Sequence, residues 1–600
     1  MFNIPLYLIP IAVTICLYQA ITLGLPRFFL VPTHNWKNKI LKVVKHTKPI
    51  YLKVGTKRLS FRRRLITASV QPSFYTNFVN NKLKLQPEDA ANENDDFINK
   101  MSSRAPADPK RRVIYGFFHP YANNGGGGEK VLWQAVLATL GESERNIVAV
   151  YTSNTDAEPL QILAKAESKF KVTDLDSKRI VFVYLRRYAS YIDGSYWKHF
   201  TLAGQLFGSV LLGLEAMYEL SPDVWIDTMG LPGSYWLVAW ILKIPIVAYV
   251  HYPIIQPDMF SRLKFQCVKD VSGLKFTLTD FKHFFKFTYW SLLYYVYIYL
   301  GLCVDVTLTN GTWTYDHISA IWAFNKSKTV EIVYPPCSTE DMMKDVKIET
   351  RQNKLLYIAQ FRPEKRHDLV LEKYEQFVGK FRHLKLPLAE MPTLVFLGSC
   401  RTQTDSSTLD MLREKVTELD LTEYVEFVVD CSFDEVKHTL STCKFGLNAM
   451  WNEHFGIGVV EYLSAGVVPI VHASAGPLLD IVRLNEPAKT WKNEVGFFFK
   501  SESDPDFTGT RTNNMLDFTI RGTPSVFPEL DTLLEMLFVE NREEISDPAL
   551  QAKRDLGQKL ALERFSNSHF ALAWKGHIRQ VARMEVDYRE TRRDKVDMVY

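Results

Sequence analysis

Residues 451–482 read WNEHFGIGVVEYLSAGVVPIVHASAGPLLDIV, and the way apolar runs alternate with small-residue turns in this stretch decides the fold. Phe445–Met450, immediately before it, suits a buried strand; Ile457–Ala465 suits a short helix and Val467–Val471 the next strand. The result is a β-loop-α-β-loop-α unit. In a parallel sheet, the loops leaving the carboxyl ends of the strands meet in one crevice, so Glu453, Gly456 and the Ala475-Gly476 turn are expected to face one ligand. Gly456 and Gly458 permit close backbone approach at a helix start, where free N–H groups and the helix dipole favour a diphosphate. Glu461, one turn into that helix, accepts hydrogen bonds and donates none, which suits a ribose diol. Glu453, on the loop, suits sugar hydroxyls.

Outward from this unit the same alternation recurs twice. Strand-like runs at Arg112–Phe118, Ile147–Tyr151, Ile180–Tyr184, Val224–Thr228, Ile244–Val250 and Val304–Thr309 are separated by helical patterns. Val333-Tyr334-Pro335-Pro336 then breaks the series as a hinge. A second series follows at Lys354–Ile358, Thr393–Leu397, Val425–Val428, Phe445–Asn448, Val467–Val471 and Val495–Phe498. The expected fold class is α/β, two doubly wound Rossmann-like domains. The expected division is a membrane anchor at 1–30, a basic and polar linker at 31–109, a first domain at 110–335, a second at 336–560 and a C-terminal crossover helix and tail at 561–600. Residues 500–525 read as a loop insertion, and the amphipathic stretch Arg554–Val586 as the closing helix.

Composition places the charge unevenly. The 600 residues are 46% apolar with a formal net charge of +5, yet no Asp or Glu precedes Glu88, while fourteen Lys and Arg do. Setting those aside leaves 58 basic against 67 acidic residues, a body of net −9 that does not suit nucleic acid. Ile4–Leu25 is an uncharged run of 22 residues, near the ~20 needed to cross hydrocarbon as a helix. The basic residues follow it, so the positive-inside rule puts the body in the cytosol, and a cleaved signal peptide, which carries its charge before the apolar run, fits less well. Phe287–Val304, eighteen residues without charge, reads as a buried or membrane-grazing helix, with a second span as the alternative; its tyrosines suit an interface. Seven cysteines without C-x-x-C spacing fit free thiols and give no zinc signature.

Further residues carry candidate chemistry. Gly125, Gly126, Gly127 and Gly128 stand at a strand-to-helix junction, where backbone N–H groups can face a diphosphate or an acceptor. They match neither a nicotinamide fingerprint nor a P-loop. In LLYIAQFRPEKRHDLVLEKY (355–374), Arg362, Lys365 and Arg366 follow a strand, and cations there can neutralise a leaving diphosphate. His251, ending a buried-looking strand in YVHYP, would open onto the same cleft; His119 and His454 are weaker candidates. Asp174-x-Asp176 and Asp504-x-Asp506 have D-x-D spacing but sit away from the diphosphate motifs, so no metal is expected.

HPYANNGGGGEKVLW (119–133), YVHYP (249–253), VYPPC (333–337), QFRPEK (360–365) and WNEHFGIGVVEYLSAG (451–466) together resemble the retaining GT-B glycosyltransferases with an E-x7-E motif. Within these, they resemble the GDP-mannose-dependent α-1,2-mannosyltransferases of the endoplasmic reticulum that extend dolichol-diphosphate-linked oligosaccharide. The resemblance covers roughly residues 110 to 590. It implies two domains facing a cleft, GDP-mannose as donor substrate, no cofactor, a Man3GlcNAc2 lipid-linked acceptor, and addition of the fourth and fifth mannoses. It also implies catalytic roles for Glu453, Lys365 and His251, and donor binding by Glu461, Arg362, Phe455, Gly456, Ile457 and Gly458. Many relatives carry G-R-L-x-P-E-K-G where this chain has Gln360 at the usual arginine, so Lys365 transfers more directly than Arg362. The expected location is the cytosolic face of the endoplasmic reticulum membrane, with membrane lipids and other mannosyltransferases of the pathway as partners. A transferase with another donor or step, and a silent scaffold subunit, are the alternatives.

Overall fold

The computed structural model describes residues 8–25, 50–53, 82–85, 113–256, 259–260, 263, 278–325, 330–345, 351–387, 390–400, 402–504 and 527–590. Two parallel sheets organise it. The first contains β1 (Val113–Phe118), β2 (Asn146–Thr152), β3 (Ile180–Tyr184), β4 (Val224–Asp227), β5 (Ile246–Val250), β6 (Val306–Thr309) and β7 (Val330–Ile332), in the spatial order β3-β2-β1-β4-β5-β6-β7. The second contains β8 (Gln352–Ile358), β9 (Thr393–Gly398), β10 (Val425–Val429), β11 (Cys443–Asn448), β12 (Val468–His472) and β13 (Phe497–Phe499), in the order β10-β9-β8-β11-β12-β13. Both orders reverse direction beside their first strand, between β1 and β4 and between β8 and β11. These are the switch points outside which open α/β sheets hold ligands.

The strands form where the sequence is apolar on both faces, because helices cover both sides of each sheet. In β1, Ile114 and Phe118 join the cluster on one face while Tyr115 and Phe117 join that on the other. All twelve expected strands are present with shifted ends, and β7 is an addition. It is only three residues long and half-exposed, too short to stand out as a periodic run.

Eight helices bear on the site: α1 (Leu8–Gln19), α2 (Gly127–Leu140), α3 (Thr201–Glu219), α4 (Leu278–Gly301), α5 (Thr312–Ile321), α6 (Ile457–Ser464), α7 (Asp547–Phe565) and α8 (Asn567–Tyr588). The expected closing helix is two helices. Ser566 breaks the run with extended backbone, and its side chain caps α8 by accepting the His569 amide at 3.1 Å. α7 packs on α6, whereas α8 returns to the first sheet, burying Phe570, Trp574, Ile578 and Val581 among β1 and α2.

Of the expected span Ile4–Leu25, α1 is described and continues through one wider π-type turn, Ala20–Gly24. Among the described residues no helix is long and apolar enough to cross a membrane. α4 buries Leu293, Tyr294, Tyr297 and Leu300 in the first domain's core and exposes Phe281, Phe284, Phe285, Leu292, Tyr295 and Tyr299. Within the expected linker, Ile50–Lys53 pairs antiparallel with Lys82–Leu85. Most of the expected insertion, residues 505–525, lies outside the described residues, as does Cys267. The other six cysteines are free thiols.

Candidate active site

A cavity of about 630 Å³ opens between the carboxyl ends of the two sheets. Gly127, Gly128, His251 and Asn310 reach it from the first domain; Gln360, Lys365, Asn448, Glu453 and Glu461 reach it from the second. The two switch points therefore face each other across one space, which is the geometry a two-substrate transfer needs.

Lys365 and Glu453 come from different loops of the second domain and meet there. Lys365 Nζ donates to Glu453 Oε2 at 2.6 Å and lies 3.0 Å from Met450 Sδ. An ammonium carries three donors, so one remains for an anionic ligand. Both side chains are partly exposed to the cavity, 23% and 18%, and so keep some solvation. Lys365 closes a single 3-10 turn, Pro363–Lys365, after β8, with its carbonyl accepting from the buried Tyr357 hydroxyl. Glu453 is fixed through its main chain, whose carbonyl accepts the Gly476 amide at 2.9 Å.

α6 begins at Gly456, whose φ of 105° is open to glycine and strained for other residues. The first turn of this helix, with its free amides, points into the cavity through Gly456, Ile457 and Gly458. Glu461 follows one turn later. No hydrogen bond from a described residue reaches its carboxylate, and burial raises its pKa, Lys130 partly offsetting this. A carboxylate in that condition is completed by an incoming pair of hydroxyls. Phe455 lines the cavity too, but its ring belongs to the packing, stacked on Tyr334 at 5.9 Å and against Phe565 at 5.6 Å.

In the first domain, only half of the glycine run reaches the cavity. Gly127 and Gly128 line it; a Cβ on Gly127 would stand 3.0 Å from Ile457 Cδ1 of the other domain. Gly126 instead caps α2, donating its amide to Glu129 Oε2 at 2.5 Å, and Gly125 takes a φ of 80° that turns the chain. His251 stands beside Gly128, its Nε2 3.1 Å from the Thr228 carbonyl. A carbonyl only accepts, so that nitrogen carries the proton. Burial lowers the pKa of His251, the Thr228 contact opposing it, and the ring is neutral at pH 7. His119 lies behind it, fully buried against Thr228 Oγ1 at 2.9 Å and pushed down to about 3 by burial. It supports the wall and does not line the cavity.

Arg362 is the one expected donor ligand found off the cavity wall. Its Nε lies 3.5 Å from Asp405 Oδ1 and its side chain is 38% exposed, because the backbone before Pro363 is extended and turns it outward. Gln360 takes the place on the wall. Asp504, assigned from sequence to a loop insertion, is instead buried against His472 and Arg366. Asp176 is paired with Arg179 at 2.7 Å. No cluster of three metal-capable side chains occurs among the described residues.

Other contacts were not legible in the sequence. Asp480 of the second domain is fully buried and accepts from the Thr312 amide at 2.9 Å, the Thr312 hydroxyl at 2.5 Å and the Tyr334 hydroxyl at 3.0 Å, which ties it to the start of α5 in the first domain. His454 stacks on Tyr252 at 5.8 Å and lies 4.4 Å from the Trp313 ring, both from the first domain. Lys130 of α2 reaches Ser338 Oγ at 2.8 Å. The only signal for Asp480 is its place after the second small-residue turn; the partners are far away in the chain.

Two parallel sheets in this order, facing a shared cavity with a cation and helix amides on the second domain's wall, define a GT-B-type glycosyltransferase. Comparison with known proteins agrees. The family described as ALG11 mannosyltransferase N-terminus matches residues 112–322, and glycosyl transferases group 1 matches residues 338–509. A GDP-Man:Man(3)GlcNAc(2)-PP-Dol alpha-1,2-mannosyltransferase of Debaryomyces hansenii is 54% identical over 614 residues, covering 99% of this chain and 100% of the relative. One of Candida albicans is 53% identical over 615 residues, covering 100% of each. The chain belongs to this mannosyltransferase family. Among solved structures, the N-terminal domain of Candida albicans trehalose-6-phosphate phosphatase shares the fold at 11% identity, with a TM-score of 0.51 over 78% of this chain and 96% of that one.

Proposed function

We propose that this chain transfers mannose from GDP-mannose, with retention, to dolichol-diphosphate-linked Man3GlcNAc2, adding the fourth and fifth mannoses in α-1,2 linkage. The observation that carries the reading is the Lys365–Glu453 pair beside the amide-bearing start of α6, within a chain whose relatives named for this activity match it from end to end. Lys365 and the Gly456–Gly458 amides draw off the diphosphate as the anomeric bond breaks. Glu461 holds the ribose diol and Glu453 the mannose hydroxyls. The acceptor hydroxyl attacks from the face the diphosphate leaves; the new bond forms at the anomeric carbon and the hydroxyl proton passes to the departing diphosphate. His251 and the Gly127-Gly128 amides line the acceptor side. Arg362 is left out of the donor set because of its Asp405 contact.

The protein is further proposed to sit on the cytosolic face of the endoplasmic reticulum membrane, anchored within residues 1–30, with the two catalytic domains at 110–335 and 336–560. The exposed aromatic face of α4, flanked by exposed Lys282 and Lys286, suits the headgroup region. Lys243 Nζ donates to the Thr22 carbonyl at 3.1 Å, which brings the apolar N-terminal helix to the same domain.

The test is transfer by the purified full chain in detergent, using GDP-mannose or UDP-glucose with lipid-linked trimannoside and linkage analysis of the product. α-1,2-Mannose from GDP-mannose alone is expected. Lys365→Ala and Glu453→Gln are each expected to lower kcat by about 100-fold or more, the scale on which loss of one transition-state contact is felt. Normal transfer by both variants would overturn the assignment.

A further inference from the structure

Beside the Lys365–Glu453 pair runs one continuous chain of polar groups, buried at its centre, that the scheme above does not use. Arg366, the residue after Lys365, places Nη1 2.6 Å from Asp504 Oδ1 and Nη2 2.6 Å from Ser503 Oγ. Asp504 Oδ2 lies 2.7 Å from His472 Nε2 and also accepts the Ser501 amide at 2.7 Å. Across the imidazole, Nδ1 is 2.9 Å from Ser474 Oγ, and Ser474 Oγ accepts the Asn452 amide at 2.9 Å. Asn452 is the residue before Glu453. The chain therefore starts beside one member of the pair and ends beside the other.

Its polarity is set by the groups themselves. A carboxylate only accepts, so His472 donates through Nε2; Ser474 Oγ accepts the Asn452 amide and meets Nδ1 as its second partner. Both imidazole nitrogens thus have a partner within the chain. The His472 and Asp504 side chains have no exposed surface, so water cannot replace a lost partner. Both ends also hold unusual backbone: φ is 56° at Arg366 and 54° at Asn452. Arginine adopts that left-handed region only where surrounding contacts hold it there, while asparagine enters it more readily.

We propose that Arg366, Asp504, His472 and Ser474 are positioning residues that lock these two backbones, so that the Lys365 ammonium and the Glu453 carboxylate are presented to the donor at contact distance. The inference rests on the functional reading above. Asp504 stays ionised in this setting: burial opposes its charge, but His472, the Ser501 amide and Arg366 outweigh burial and hold the carboxyl at about 2.

The experiment is a double-mutant cycle on mannosyl transfer by the full chain. His472→Phe keeps a ring of similar size and removes both hydrogen bonds; a fall in kcat of about 100-fold is expected, the cost of a displacement near 1 Å at reacting groups. In a Glu453→Gln background the same change is expected to cost about 10-fold or less, because the part of its effect that runs through Glu453 is already lost while the part that runs through Lys365 remains. A merely structural histidine would lower activity by the same factor in both backgrounds. Ser474→Ala, which barely alters core volume, carries the same cycle should His472→Phe fail to fold, with an expected loss of about 3- to 10-fold. Multiplicative losses, or kcat within about twofold of wild type in the single variants, overturn the proposal while leaving the functional reading intact. Wild-type protein that transfers no mannose overturns both.

Discussion

The two glutamates of the E-x7-E spacing do different work because they sit in different surroundings. Glu453 is bound to Lys365 at 2.6 Å, so its charge is compensated before any ligand arrives. Glu461 has no such partner, and burial raises its pKa. Its charge therefore costs folding stability at neutral pH, since the ionised form is less favourable in the folded protein than in the unfolded chain. Glu461→Gln is expected to raise or preserve the Tm of the free protein while weakening GDP binding by about 10- to 100-fold, as lost charge-assisted hydrogen bonds do. Thermal unfolding and calorimetric titration with GDP check both halves; unchanged GDP affinity would remove Glu461 from the ribose site. Gly476 has an equally local role. A Cβ there would fall 2.2 Å from the Phe455 carbonyl oxygen, and the Gly476 amide holds the Glu453 carbonyl. Gly476→Ala is expected to cost about 1–3 kcal/mol in denaturant unfolding and to abolish most transfer by moving the Glu453 loop.

Among the elements, α8 has the largest reach. It starts in the second domain's chain and completes the first domain's core, with Trp574 fully buried, stacked on Phe117 at 6.2 Å and donating to Thr139 Oγ1 at 2.9 Å. Its far end is held by a buried pair, Arg589 to Asp223 at 2.7 Å. Trp574→Ala is expected to destabilise the first domain by about 3–5 kcal/mol, the range for deleting a buried aromatic. Unfolding in urea should then split into an early phase from the first sheet and a later one from the second. A single unshifted transition would mean that α8 is dispensable to the first core. The amphipathic period of 554–586 signalled a helix to be covered, but nothing in it named the sheet that covers it. The break at Ser566 is not legible in the sequence either, since one serine inside a helical period is a weak signal until its neighbours take up cap geometry.

At the scale of the whole molecule, acid is expected to loosen the fold before it reaches the carboxylates. Burial holds His119 near 3 and His367 and His454 near 4, all below the ordinary 6.5. The unfolded chain therefore takes up protons at these histidines from about pH 6.5 downward while the folded protein does not. Stability is fully present above that pH and falls towards pH 4, by up to about 1.4 kcal/mol per pH unit for each fully buried histidine. Asp504 acts in the same sense over a lower range: its carboxyl, at about 2 against an ordinary 3.8, adds stability that is lost only below about pH 4. A Tm that stays flat between pH 7 and 4.5 would contradict this. His454 makes the effect a property of both domains together, because its stacking partners Tyr252 and Trp313 belong to the other one.

The sequence by itself determined the two α/β series, the β11-loop-α6-β12 unit and the residues Lys365, Glu453, Glu461, Gly127 and Gly128 that line the cavity. These are local signals: apolar runs of strand length, glycines at strand-to-helix turns and charges at strand ends, each readable within a few residues. Only the tertiary structure decided that Arg362 turns to Asp405, that Gly125 and Gly126 shape the turn and its cap, and that Asp504 is a buried partner of His472. The same holds for Asp480 reaching Thr312 across the domains. Apart from the Gly126–Glu129 cap, these depend on groups dozens to well over a hundred residues apart, and a polar side chain has no preferred partner until burial removes water from the competition.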